Sequence, residues 1–256
     1  MASQVSRQKL ASPSRSFCGV RFLVSFRRSE GQGSRLKSSG FSRLKLIYED
    51  EDIIVVDKPA GLLTMATEKE RRKTAYAFLY AYVKNKRPAE KIFIVHRLDR
   101  EASGLLVFAK TQSAKRRLQD QFKDHSATRM YVAVVEGRVP QDLCRIESYL
   151  AENAAHRAYS SKDRTKAKLA VTHIRVLRRF RQTTLIEARL ESGRKHQIRA
   201  HLSERGHPIV GDRDYGSQIN RLHRLALHAV NLNFKHPETG KLLQFESPYP
   251  DSFRFS

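Results

Sequence analysis

Asp99 is the residue with the clearest potential to do chemistry. It lies in a charged run, His96-Arg97-Leu98-Asp99-Arg100-Glu101, between two short apolar runs. Arg97 and Arg100 flank the carboxylate and favour its ionised form. An ionised carboxylate on a loop between core strands can act as a nucleophile or as a base at neutral pH. A solvated surface turn with an ion pair explains this segment equally well when it is taken alone.

The surrounding sequence predicts the elements that position this loop. Residues 92–95 and 105–109 have the length and β-branched content of buried strands, and Ser103-Gly104 has the chemistry of a turn between them. Helical spacing of apolar side chains predicts one helix after Thr74 and another over 114–122. Alternating patterns predict three more strands, at 128–136, 167–177 and 183–190. Helical signals predict one more helix, at 193–206.

Several motifs resemble those of one enzyme family. HRLDR at 96–100, followed by SGLLVFAK at 103–110, resembles the signature of the pseudouridine synthases, specifically the RluA-type branch. The resemblance extends from Tyr48 to Pro248. The further motifs, in the expected order, are DKPAG at 57–61, YVAVVEG at 131–137, SGRKHQIRAH at 192–201, GHPIVGD at 206–212 and RLALHA at 224–229.

The resemblance implies roles for individual residues. Asp99 would be the catalytic residue, Tyr131 would lie against the target base, and Arg199 would pair with Asp99. Leu225 or Leu227 would line the uracil pocket. The candidate RNA contacts are Arg97, which could fill the space that the base vacates, together with Arg100, Arg194 and Lys195.

The resemblance also implies a fold and an activity. The fold would be α+β, with a bent, mixed, mostly antiparallel sheet, flanking helices, and Asp99 in a cleft between two lobes. The activity would be the isomerisation of uridine in structured RNA to pseudouridine, which needs no cofactor. The target, ribosomal or transfer RNA, stays open. So does the choice between attack of Asp99 on C1′ of the ribose and removal of the C2′ proton.

Two residue pairs could suggest a metal site. His196 and His201 are five residues apart, which on a helix separates their directions by about 140°, unlike the pair of a zinc helix. Asp212 and Asp214 could be mistaken for a Mg²⁺ pair, but aspartate and glycine commonly shape a turn. We therefore expect no metal.

The charge of the chain points to a polyanionic partner. The 256 residues carry a formal net charge of +23, which exceeds what solubility needs. An anionic membrane surface is disfavoured, because no apolar run approaches the ~18 residues that span a bilayer and no basic amphipathic helix with a strongly apolar face is evident. Cys18 and Cys144 lie far apart, which fits a reducing compartment. The charge thus favours nucleic acid, and the resemblance implies that the partner is structured RNA. We expect the protein to be a monomer.

Residues 1–43 differ from the rest of the chain. They are rich in serine and arginine, and Glu30 is their only acidic residue. We interpret them as a disordered basic extension ahead of a catalytic domain at 44–256. An organellar transit peptide, an RNA-binding tail and an upstream start codon all fit this composition. The expected location is cytoplasmic, with organellar import if the extension is a transit peptide.

Two other functions deserve comparison. A catalytically inactive RNA-binding or ribosome-assembly protein could have the same fold, although the joint presence of Asp99, Tyr131 and Arg199 favours an enzyme. A metal-dependent nuclease ranks last, because the sequence lacks a carboxylate cluster. The sequence departs from the commoner family text at Asp57, where asparagine is usual, and at Ser192 and Lys195, where threonine is usual. A further departure, Glu101-Ala102 for Asp-Thr, lies beside the candidate nucleophile.

Overall fold

The computed structural model describes residues 44–68 and 70–255, so the predicted extension at 1–43 lies outside the described residues. Three α-helices are present in this part of the chain: α1 (Ala75–Lys86), α2 (Gln112–Lys123) and α3 (Gln197–Glu204). Its strands are β1 (Lys45–Glu49), β2 (Ile53–Lys58), β3 (Phe93–Ile94), β4 (Ser103–Ala109), β5 (Thr128–Glu136), β6 (Leu143–Glu152), β7 (Ala158–Ser160), β8 (Lys168–Arg179), β9 (Thr183–Leu190), β10 (Leu227–Lys235) and β11 (Leu242–Glu246). Short 3-10 helices cover Arg213–Tyr215 and Asp251–Phe255.

The strands form one mixed sheet. Their order is β1-β2-β4-β10-β5-β9-β8-β6-β7, with β3 paired to β4 and β11 paired to β10. Only β4 and β10 run parallel, and every other pair of neighbours in the described sheet is antiparallel. This parallel seam joins the N-terminal strands to the larger C-terminal group. The predicted α+β class, with a mostly antiparallel sheet and flanking helices, is confirmed.

The core lies on both faces of the sheet, because successive residues of β2 point to opposite sides. Ile53 and Val55 pack with Leu118 of α2. Ile54 and Val56 belong to the other cluster, which includes Leu79 of α1, Ile198 and Leu202. Burial on both faces explains why the central strands read as continuous apolar runs rather than as alternating ones.

The helix starts follow from local capping. The hydroxyl of Thr74 accepts a hydrogen bond from the backbone N–H of Ala77, and that of Thr111 accepts one from Ala114, both at 3.0 Å. Each bond satisfies a donor that the first turn would otherwise leave unpaired. In the described residues, no helix is long and apolar enough to cross a membrane.

Some local predictions are wrong. Ser103 and Gly104 do not form a turn, because both belong to β4. An ideal Cβ at Gly104 would lie 2.3 Å from the backbone oxygen of Ala229, so the glycine serves the close approach of β10. The run at 92–95 supplies only the two-residue strand β3. The last helix begins at Gln197 rather than near Gly193, since His196 has a left-handed backbone, with φ 50°.

Candidate active site

Asp99 lies on the loop between β3 and β4, at a cavity of about 110 Å³. Its side chain is 17% exposed. Seven of the nine residues singled out from the sequence line this cavity: Arg97, Asp99, Tyr131, Arg194, Lys195, Arg199 and Leu227. The loop after β9 and the start of α3 supply Arg194, Lys195 and Arg199, so the sheet and α3 together enclose the carboxylate.

Two side chains approach the carboxylate of Asp99. Nη1 of Arg199 lies 3.5 Å from Oδ2, and Nε2 of His196 lies 3.8 Å from Oδ1. The arginines that flank Asp99 in sequence are not its ion-pair partners. Arg97 is exposed at the cavity, and Arg100 pairs with Glu101. The side chains that contact the Asp99 carboxylate therefore come from a segment about a hundred residues away.

Arg199 is held mainly by Asp212. Nε and Nη2 of Arg199 donate to the two carboxylate oxygens of Asp212 at 2.7 and 2.8 Å. Burial opposes the charged guanidinium, but the hydrogen bonds and charge of Asp212 and the charge of Asp99 raise the pKa of Arg199 above its ordinary value. The interpretation of Asp212 as a residue that only shapes a turn is therefore incomplete. Its buried carboxylate fixes the guanidinium that faces Asp99.

His196 is a site residue that the sequence did not reveal. Its Nδ1 lies 3.0 Å from the hydroxyl of Tyr215, which also accepts the backbone N–H of Ala158. This bonding favours the tautomer in which Nδ1 accepts the Tyr215 proton and Nε2–H faces Asp99. Burial lowers the pKa of His196, and the charge of Asp99 opposes that shift. The backbone of His196 is left-handed, with φ 50°.

The DKPAG motif braces the loop that carries Asp99. The side chain of Lys58 is fully buried, and its Nζ lies within hydrogen-bonding distance, 2.6–3.1 Å, of four carbonyl oxygens, those of Pro59, Leu62, Arg100 and Ala102. The hydroxyl of Thr64 exchanges hydrogen bonds with both the N–H and the C=O of Leu98. Burial lowers the pKa of Lys58 to about 7, whereas carbonyl acceptors favour the ammonium form. Both sides of Asp99 are thereby fixed.

Tyr131 and Leu227 form the apolar side of the cavity, whereas Leu225 does not line it. Tyr131 is 6% exposed, and burial raises the pKa of its hydroxyl. Leu225 and Leu227 are both buried, but only Leu227 lies at the cavity. Of the two leucines considered for the uracil pocket, the geometry supports Leu227. Arg100 is also absent from the lining, because its Nε donates outward to the carbonyl of Gly61.

Asp57, which replaces the commoner asparagine, ends a chain of buried hydrogen bonds. Its Oδ2 accepts from the hydroxyl of Ser247 at 2.6 Å, and Ser247 lies 3.2 Å from Nε2 of His228. Nδ1 of His228 lies 2.7 Å from the hydroxyl of Ser103, to which Arg224 also donates. Burial lowers the pKa of His228 to about 4, so the ring is neutral at pH 7. The chain of hydrogen bonds connects β2, β4 and β10.

The histidines singled out as a metal pair have other partners. His196 contacts Tyr215, whereas His201 contacts the hydroxyls of Ser148 and Thr172. A second group, Asp50, Asp52 and His236, brings three ligand atoms close together. Nδ1 of His236, however, accepts the backbone N–H groups of Glu238 and Thr239, so its Nε2 carries the proton and donates to Asp50. These contacts describe a structural brace rather than a set of metal ligands.

Comparison with known proteins decides the family. Residues 52–204 match the sequence model of the family described as RNA pseudouridylate synthase. The chain belongs to this family. The RluA-type resemblance read from the motifs is confirmed, and this pseudouridine synthase can be compared with named relatives.

Two relatives are named ribosomal large subunit pseudouridine synthase D. The protein from Neisseria meningitidis serogroup A is 39% identical over 220 residues, which are 81% of this chain and 59% of that protein. The protein from Pseudomonas aeruginosa is 36% identical over 245 residues, which are 90% of this chain and 75% of that protein. This chain thus spans about 59% of the length of the first of these relatives.

A solved structure supports the fold. The human protein titled RNA Pseudouridylate Synthase Domain Containing 4 superposes with a TM-score of 0.69 at 22% identity. The match covers 82% of this chain and 90% of that one. The sheet and its flanking helices are therefore the fold of this family.

Proposed function

We propose that this pseudouridine synthase isomerises specific uridines in structured RNA to pseudouridine. The observation that carries the proposal is the placement of Asp99, held between Arg199 and His196 at a cavity that Tyr131 and Leu227 also line. A uridine flipped out of its stack could lie in that cavity, with its base against Tyr131 and its sugar toward Asp99. Membership of the family supports the same reaction.

The reaction breaks the N1–C1′ bond and forms a C5–C1′ bond within one nucleotide. Asp99 either attacks C1′ or removes the C2′ proton, and the released uracil is reattached through C5. The hydrogen on C5 leaves as a proton, so no electrons pass to a cofactor. Arg199 orients Asp99, and it does so because Asp212 fixes the guanidinium in turn. Asp99 is the catalytic residue, and Arg199 is its positioning partner.

The RNA itself is proposed from charge and from the names of relatives. The net charge of +23 and the exposed or half-buried Arg97, Arg194 and Lys195 at the cavity rim favour binding to phosphate groups. Relatives named for the large ribosomal subunit favour ribosomal RNA over transfer RNA. We further propose a monomer whose catalytic domain comprises residues 44–256. It would act in the cytoplasm, or in an organelle if residues 1–43 are a transit peptide.

The decisive experiment measures tritium release from RNA labelled at uridine C5. Asp99→Asn preserves size but removes the carboxylate's basicity and nucleophilicity, so release should disappear while RNA affinity persists. Asp120→Asn, an exposed position on α2, is the matched control and should release tritium at the normal rate. Substantial release by Asp99→Asn would refute the catalytic role. Absence of release by the unmutated protein on ribosomal and transfer RNA would favour an RNA-binding protein without activity.

A further inference from the structure

Among the residues that the structure describes, Arg129 is a cation at the catalytic cavity without a counterion. It precedes Tyr131 by two residues in β5, so both side chains lie on the same face of the sheet, and both line the cavity. Its Nε is buried and has no hydrogen-bond partner in the described part of the chain. Among residues 44–68 and 70–255, no carboxylate lies within ion-pair distance of its guanidinium.

The surroundings of Arg129 hold the guanidinium in place without neutralising it. Its Cζ lies 5.1 Å from the ring centroid of Phe122, and His96 packs against the same ring at 4.7 Å. Nε2 of His96 accepts the backbone N–H of Val107, so its buried Nδ1 is a donor, and it too lacks a partner. The side chains of Arg129 and His96 therefore both pack against Phe122, and each carries a buried N–H donor without a partner among the described residues. Neither donor can accept a hydrogen bond from the other.

Gly193 makes room for this arrangement. An ideal Cβ at Gly193 would lie 2.6 Å from Nη1 of Arg129, so a side chain there would displace the guanidinium. Gly193 begins the segment that continues with Arg194 and Lys195 at the cavity rim. The position of Arg129 thus depends on a residue of the same loop that carries the candidate RNA contacts.

The charges around the cavity identify the kind of group that Arg129 can bind. Arg199 is neutralised by Asp212, and Lys195 pairs with Glu152 at 2.5 Å. A half-buried guanidinium without such a partner is costly, and a neutral uracil carbonyl would not offset its charge. A phosphodiester would, because its oxygens match the planar donors of arginine.

We propose that Arg129 binds one of the two backbone phosphates that flank the reacting uridine and thereby fixes the ribose in front of Asp99. The identification of the anion as an RNA phosphate rests on the proposed function. In these terms Arg129 is a positioning residue, since it contacts the substrate backbone rather than the bonds that change.

The test replaces single phosphates by neutral methylphosphonates. The RNA is the ribosomal stem-loop that the protein binds most tightly, and the neutral linkage is placed on the 5′ or the 3′ side of the target uridine. Arg129→Gln should weaken binding about tenfold and lower the slope of log affinity against log salt by about one. At one of the two linkages, the variant and the neutral phosphate should each weaken binding, and together they should weaken it no more than either alone.

Arg189→Gln is the matched control, because Arg189 is exposed on β9. It lies opposite Met130 in the pairing of β9 with β5, so its side chain points to the face of the sheet away from Arg129. Its effect should simply add to that of each neutral linkage. The melting temperature of Arg129→Gln should be unchanged or higher, since the variant removes an unpaired charge. A purely structural arginine would lower it.

Two different failures can be told apart. Additive effects of Arg129→Gln at both linkages, with tritium release by the unmutated protein intact, would overturn the role of Arg129 and leave the proposed function standing. Non-additive binding at one linkage, with no tritium release by the unmutated protein on any RNA, would support the phosphate contact and overturn the enzymatic activity.

Discussion

The substitution Asp212→Asn isolates the contribution of the residue that holds Arg199. The side chain of Asp212 is 1% exposed, and both of its oxygens accept hydrogen bonds from the guanidinium. Asparagine keeps the shape and one acceptor but removes the charge. Arg199 is then left with Asp99 and Asp214, each at 3.5 Å, as its remaining carboxylate partners.

The expected effect can be worked out from this geometry. Removing one partner of a buried ion pair costs about 3–5 kcal/mol. Because two more distant carboxylates remain, we expect the lower end, about 3 kcal/mol, which for a domain of this size lowers the melting temperature by about 6–12 °C. Turnover should also fall, by about a hundredfold, because Arg199 is free to close on Asp99 and misplace its carboxylate.

Thermal unfolding and single-turnover tritium release measure the two effects. The control is Asp214→Asn, since Asp214 is 59% exposed and its contact with Arg199 is long, at 3.5 Å. That variant should stay within about 0.5 kcal/mol of the unmutated protein. If Asp212→Asn and Asp214→Asn behaved alike in both assays, Asp212 would not be the residue that fixes Arg199.

Other perturbations test other parts of the molecule. Gly104→Ala should markedly lower the melting temperature, since its Cβ would collide with the β10 backbone and its φ is 111°; an unchanged melting curve would contradict the close approach. Burial lowers the pKa of His96 to about 3 and of His201 and His228 to about 4. The unfolded chain therefore binds more protons below about pH 6.5, and stability should fall from there toward pH 4. In urea titrations, the free energy of unfolding of His201→Gln should fall less steeply with decreasing pH than that of the unmutated protein. An equal dependence on pH would contradict the contribution of His201. Deleting residues 1–43 should leave the melting temperature unchanged and at most weaken RNA affinity, whereas a large drop would place them in the core.

The motifs predict that Asp99, Tyr131 and Arg199 lie close together in the fold. Asp99, Tyr131 and Arg199 do meet at one cavity, and β5 and β9 begin and end where their alternating patterns indicate. These predictions succeed because a strand's period and a motif's chemistry are both local properties of the sequence.

The errors arise where distant parts of the chain decide the outcome. A glycine at position 104 is compatible either with a turn or with the close approach of another strand. The approaching strand is β10, which lies more than a hundred residues later, so the local sequence does not distinguish the two. The carbonyl partners of Lys58 and the left-handed backbone of His196 leave no local pattern. Arg129 could have been found, because its two-residue spacing from Tyr131 places it on the same strand face.

The parallel seam between β4 and β10 has a consequence for how this protein is made. The hydroxyl of Ser103 meets His228, 125 residues later, and Asp99 meets Arg199, 100 residues later. A chain emerging from the ribosome therefore exposes Asp99 long before the partners of that residue have been synthesised. Contacts between such distant segments form slowly, because a long loop must first be closed. Nascent chains that end before β10 should thus already attract RNA through their positive charge, yet be unable to modify it.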